Sequence, residues 1–245
     1  MASPIEQFRI EPIIKLAPAG IDISFTNSAL MMAVAVIGAT TLLTLATRKR
    51  ALVPGRAQAA AELCYSFVAN MIRENIGDHG RQYFPLVFTL FFVVLLGNML
   101  GMLPYAFTYT SHLVVTGALA IMIFLMVIVI GFIRHGARFV NVCVPPHVPA
   151  SLLPLVIAIE IISFIARPVT LSVRLFANMM AGHLILKVFA GFSVMMASMG
   201  LAGLAAGILP MLFNVVFIAF EFLIAFLHAY VFAILSCIYL KDTIE

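Results

Sequence analysis

Glu160, Arg167 and Arg174 lie seven residues apart, and so do Asn214, Glu221 and His228. Seven residues advance a helix by about 700°, within roughly 20° of a single face. Each triplet therefore marks a polar stripe about 21 Å long on a helix that is otherwise apolar. Glu160 and Glu221 are the only acids within the apolar stretches, and Arg167, Arg174, His183, Lys187 and His228 share the same region. A charge at a bilayer centre costs about 2.5–3.5 kcal/mol on insertion scales, so each needs a reason to be there. Titratable groups strung through a membrane point to a proton path. Histidine changes charge near neutral pH, whereas arginine cannot give up its proton. Arg174 has no acid at i±3 or i±4 in its own helix. It reads as a fixed barrier that blocks leakage and attracts a carboxylate from another protein. His183, nine residues beyond Arg174, turns to roughly the opposite side of an ideal helix.

Other polar residues have plainer readings beside the functional one. Arg167, next to Pro168, reads as a structural ion-pair partner of Glu160. Lys187 reads as a snorkelling residue near a helix end. Asn214 reads as a helix–helix hydrogen bond or a member of the path, and Asn178 as a hydrogen-bonding neighbour or a site residue. His112, His135 and His147 fall in connections and read as interface residues.

The elements that must position these groups are membrane helices. The chain has 245 residues, 64% of them hydrophobic and 10% charged, and carries a net charge of +4. Its mean hydropathy is +1.15. A soluble domain is nearer 25% charged. These values describe an all-α polytopic membrane protein, in which the positive excess reports topology and not nucleic-acid binding. Cys64, Cys143 and Cys237 form no ligand spacing and read as small hydrophobes; no metal or cofactor is expected. There is no Walker loop, HExxH or GxSxG, so no ATP hydrolysis is expected on this chain. No basic region followed by an apolar one marks a cleavable signal.

The expected layout is an N-terminal polar tail (1–24) and a single membrane-embedded channel domain (25–245). About five embedded helices are expected: spans from about Phe25 to Thr47, Tyr83 to Leu103 and Leu113 to Ile133, then two long helices. Between the first two spans, an amphipathic helix carrying Glu62, Arg73, Glu74 and Asp78 is expected at the interface. "YAFTYTSH" reads as an aromatic turn and "RHGARFVNVCVPPHVP" as a polar connection. Ser151 to Phe189 has no stop signal except Pro168; roughly 40 residues make about 57–60 Å of helix against an apolar core of about 30 Å. A second long helix, from about Leu204 to Leu240, follows a turn at "AGFS" or "GLAGLAAG". Two such helices cannot stand upright, and form a long, steeply tilted antiparallel hairpin. Lys and Arg gather on one side of five crossings, which puts the N-terminus outside (periplasmic) and the C-terminus in the cytoplasm.

Three stretches carry a resemblance to a known family. "RPVTLSVRLFANMMAGHLI" (Arg167–Ile185), "GNMLGMLPYAFTYTSHL" (Gly97–Leu113) and "EFLIAFLHAYVFAILSCIYL" (Glu221–Leu240) resemble subunit a of the F-type ATP synthase, the stator channel subunit. The likeness runs from about Asp22 to the end. It implies a place beside a rotating ring of c subunits, with peripheral-stalk b subunits, the other F-type ATP synthase subunits and the lipid bilayer as partners. By this resemblance Arg174 faces each c-subunit carboxylate and Asn178 is its neighbouring asparagine. His183 and Glu221 make the outer half-channel pair, in the order of mitochondrial-type sequences. Glu160 lines the inner half-channel, and Asn98 lies near the outer entrance. His228 stands where the family usually has glutamine, which cannot titrate.

The implied function is proton translocation by two offset half-channels that load and unload c-ring carboxylates. The implied location is a bacterial inner membrane, of an alphaproteobacterium, with the mitochondrial inner membrane as the alternative. A self-contained secondary transporter would show inverted repeats, and none is visible. A mere membrane scaffold leaves the polar stripes unexplained.

Overall fold

The computed structural model describes residues 8–15, 24–48, 51, 53–103, 106–136 and 153–244. Most of the N-terminal tail, Lys49 and Arg50, and the connection holding Arg138, Cys143 and His147 lie outside the described residues. Two short strands, β1 (Pro12–Ile14) and β2 (Phe25–Thr26), pair antiparallel and lead into six helices: α1 (Asn27–Thr47), α2 (Arg56–Ile76), α3 (Phe84–Gly101), α4 (Leu113–His135), α5 (Leu153–Ala197) and α6 (Leu201–Ile244). Among the described residues, five helical segments are long and apolar enough to cross a membrane, and α2 is not one of them. The all-helical membrane architecture with a closing hairpin is as expected.

α1 starts at Thr26, whose hydroxyl accepts from the Ala29 N–H at 3.3 Å. α2 buries Ala61, Val68, Met71, Ile72 and Ile76 and leaves Glu62, Arg73 and Glu74 exposed. One apolar face with a charged back is what keeps it out of the spanning set. It stops at Gly77, where φ is +78°, a conformation that favours glycine.

α3 is the central post. Val87, Leu90, Phe91, Val94 and Asn98 recur at three- and four-residue spacing and are buried. The chain beyond α3 folds back onto it because two glycines leave room: the ring of Tyr109 lies where a side chain at Gly97 would be, and Thr108 does the same at Gly101. The Tyr109 hydroxyl donates to the Val93 carbonyl at 2.8 Å, and that of Thr108 to the Gly101 carbonyl at 3.1 Å.

α5 and α6 have 45 and 44 residues, about 66 Å each, so they must run obliquely through a core of about 30 Å. They turn at Ser198–Gly200, with φ of +91° at Gly200, where the second of the two expected breaks begins. α6 meets its neighbours through a buried stripe of Glu221, Ala225, Ala229, Phe232, Ala233, Ser236, Cys237 and Leu240. The small members of this stripe let the backbones approach closely.

Three expectations need correction. Arg167 pairs with Asp242 of α6 at 2.9 Å, not with Glu160, and its guanidinium lies over Tyr239 at 5.3 Å and Phe164 at 5.7 Å. The antiparallel hairpin brings the end of α6 beside Arg167, which sequence distance conceals. Lys187 is not near a helix end: α5 continues to Ala197, because Gly191 does not stop a helix that lipid and α6 both support. His112 is not a plain interface residue. It stacks on Phe107 at 5.1 Å, and burial holds its pKa below the usual histidine value.

Candidate functional site

The site is built where the hairpin crosses the α3–α4 connection. On α5, Leu171, Leu175 and Met179 face the interior, so the helix turns Arg174 and Asn178 outward and His183 toward the connection. On α6, the small-residue stripe places Glu221 on the buried side, where it is 3% exposed. His183 Nδ1 and Glu221 Oε1 lie 3.7 Å apart. Gly182 permits this, since a Cβ there would come within 2.6 Å of Glu221 Oε1.

The other face of His183 is fixed by Thr108, whose Oγ1 lies 2.9 Å from Nε2. The Thr108 hydroxyl proton is directed at the Gly101 carbonyl, which leaves its oxygen as acceptor for the Nε2 proton. That assignment makes Nδ1 the free nitrogen of a neutral ring, pointing at Glu221. Among the described residues, neither carboxyl oxygen of Glu221 has a hydrogen-bond partner. A buried carboxyl with no fixed donors, beside a histidine with one open nitrogen, is arranged to exchange a proton rather than to hold a structural bond.

Two cavities flank this pair, one lined by each member. One of 620 Å³ is lined by Thr108, His183 and Lys187 together with Phe8, Arg9 and Glu11 of the N-terminal segment. The second, of 220 Å³, is lined by Glu221, Gly182, Ala181 and Asn178 among others. His183 and Glu221 stand between them. Asn98 is completely buried on α3 and donates to the Ala225 carbonyl, one turn from Glu221, at 3.2 Å. It ties α3 to α6 beneath the site.

Arg174 lies nine residues from His183, about 13 Å along α5. It is exposed on the outer face of the hairpin, and among the described residues it has no ion-pair partner. Asn178 is exposed on the same face, one turn away. His228 is half-buried near Arg174, close enough to feel its charge, and among the described residues its Nε2 has no partner. Asn214 is half-buried with its Oδ1 unpaired, seven residues before Glu221. Glu160 is half-buried and about 21 Å from Arg174 along the helix, so it is not part of the His183–Glu221 cluster. No group of three metal-ligating side chains occurs among the described residues.

The matching model is that of the ATP synthase A chain, over residues 28–241. This chain belongs to that family. It is 54% identical over 242 residues to the ATP synthase subunit a of Rhizobium etli (strain CIAT 652), covering 99% of this chain and 97% of that one. Against the subunit a of Parvibaculum lavamentivorans (strain DS-1 / DSM 13023 / NCIMB 13966) it is 53% identical, over 99% of this chain and 93% of the relative. Against that of Mesorhizobium japonicum (strain LMG 29417 / CECT 9101 / MAFF 303099) it is 52% identical, over 99% and 96%. Membership of the ATP synthase A chain family accords with the resemblance seen in the sequence and makes the chain a component of an F-type ATP synthase.

Sequence reading missed Thr108, Gly182 and the N-terminal lining residues. Thr108 lay inside a stretch read as an aromatic turn and as part of the family resemblance, with no role given to the threonine itself. Gly182 had one available signal, its place directly before His183 on the polar helix.

Proposed function

We propose that this chain is the proton-translocating stator subunit of a rotary F-type ATP synthase, working through two offset half-channels against the carboxylates of a c-subunit ring. The observation that carries the reading is the buried His183–Glu221 pair, 3.7 Å apart, standing between two cavities. Protons enter the larger cavity, pass His183 and Glu221, and reach the smaller cavity beside Asn178. There they neutralise a ring carboxylate presented to the outer face of the hairpin. After the ring turns, the proton leaves past Glu160.

Arg174 supports this reading because an exposed guanidinium with no ion-pair partner among the described residues is costly on an apolar face without a partner anion. A passing carboxylate supplies that partner and gives up its proton there. The arginine cannot carry a proton itself, so it also seals the two half-channels from each other. His228 and Asn214 flank the path on α6, and Asn98 holds α3 against it. Peripheral-stalk b subunits are further partners. The basic segment around Arg56, Arg73 and Arg81 lies at the opposite end of α3 from the larger cavity, which supports a cytoplasmic placing of that segment and of the C-terminus, and a periplasmic N-terminus, in a bacterial inner membrane.

The test is ATP-driven acidification of vesicles carrying the assembled complex, with Arg174 intact or as Arg174→Ala. Pumping is expected to be lost with assembly retained, and vesicles stripped of the catalytic head are expected to leak protons faster. Normal pumping by Arg174→Ala would reject the reading.

A further inference from the structure

The larger cavity has a wall that the proton path above does not use. Asn27, the first residue of α1, holds the N-terminal segment by three bonds. Its N–H donates to the Glu11 carbonyl at 3.1 Å, its Nδ2 donates to the Arg9 carbonyl at 3.1 Å, and its Oδ1 accepts from the Glu11 N–H at 3.3 Å. The pairing of β1 with β2 continues the same attachment. Held in this way, Phe8 lies edge-on to the ring of His183, with centroids 6.3 Å apart. Arg9, Glu11 and Asn27 line the cavity opposite Thr108 and His183.

The charges of this lining are unequal. Arg9 and Lys187 are cations, and among the described residues that line the cavity Glu11 is the one carboxylate. Two cations alone would oppose a proton or hydronium ion coming from solvent. Glu11 is exposed at the mouth. A carboxylate there raises the local proton concentration through a field that salt screens.

We infer that residues Phe8 to Glu11 form a wall of the proton entrance, and that Glu11 is the carboxylate that draws protons into it. This rests on the reading of the His183–Glu221 cavity as the entrance. In vesicles holding the assembled membrane sector, passive proton flux is measured under a potassium diffusion potential. Glu11→Gln is expected to lower the initial rate about threefold at low ionic strength, with the deficit nearly gone at about 0.5 M salt. A normal rate at low salt, or an equal deficit at both salts, would overturn the role of Glu11. The wall is tested separately in the same complex. With Cys64, Cys143 and Cys237 replaced by alanine and Met102→Cys added as a probe, Phe8→Ala is expected to speed labelling by a membrane-impermeant thiol reagent severalfold. Unchanged labelling would remove the wall. Glu221→Gln separates the two levels. If it abolishes flux while Glu11→Gln is normal, only this inference fails; if it leaves flux intact, the underlying reading fails.

Discussion

At the scale of residues, the site depends on groups that carry no charge. Thr108 fixes the proton of His183 on Nε2, and Gly182 gives Glu221 the space to approach. Thr108→Val keeps the shape of the side chain and removes the acceptor, so the ring loses its preference for the tautomer that opens Nδ1 toward Glu221. Proton pumping by the assembled complex is expected to fall about tenfold, less than the roughly hundredfold or more that a positioned proton-transfer group itself contributes, because Thr108 acts only through the His183 tautomer. Thr108→Ser restores the acceptor and is expected to recover most of it. Equal losses in the two variants would mean that Thr108 acts through packing alone. Gly182→Ala asks the related question of space. Its Cβ would press on a carboxyl that has nowhere fixed to go, and slower pumping with normal assembly is expected, read by the same vesicle assay.

At the scale of elements, the hairpin is held by shape more than by charge. The Arg167–Asp242 pair is 29% and 42% exposed, which makes it a minor contributor to stability. The small residues of α6 matter more, because Ala225, Ala229 and Ala233 are fully buried and set its distance from its neighbours. Ala229→Leu is expected to destabilise the chain by about 1–3 kcal/mol through overpacking, seen as a lower melting temperature of the detergent-solubilised complex. An unchanged melting temperature would mean that the helices can move apart freely.

Element existence was legible in the sequence because apolar runs of bilayer length leave few alternatives. Helix ends were less legible. Gly191 looks like a break in isolation, yet α5 runs past it to Ala197 because α6 lies alongside. The polar residues of the two long helices marked Arg174, His183 and Glu221 as candidates. They could not say that His183 and Glu221 would meet while Arg174 faces outward. That difference arises from the antiparallel register of α5 and α6, and the register is set by Gly200 and the alanine stripe. Thr108 and Phe8 were illegible for a simpler reason: their roles exist only through a residue 75 or more positions away.

At the scale of the whole molecule, the proposed path is incomplete within this chain. The smaller cavity ends at Asn178, on the outer face that also bears Arg174. Glu160 lies roughly 21 Å from Arg174, on its far side from His183. Among the described residues, the titratable groups beside Arg174, His228 and Tyr239, do not by themselves span the roughly 21 Å to Glu160. Completing the passage requires a mobile carrier that collects a proton on one side of Arg174 and leaves it on the other. The purified chain, reconstituted alone, is expected to conduct protons no faster than empty vesicles. Adding a purified c-subunit ring is expected to restore conduction, and Arg174→Gln should change that conduction while leaving the isolated chain silent. The measurement is a pH-sensitive dye in vesicles under an imposed potential. Conduction by the chain alone would instead describe a self-contained pathway. It would favour the transporter reading and require the exposed guanidinium to find its counterion within a single copy.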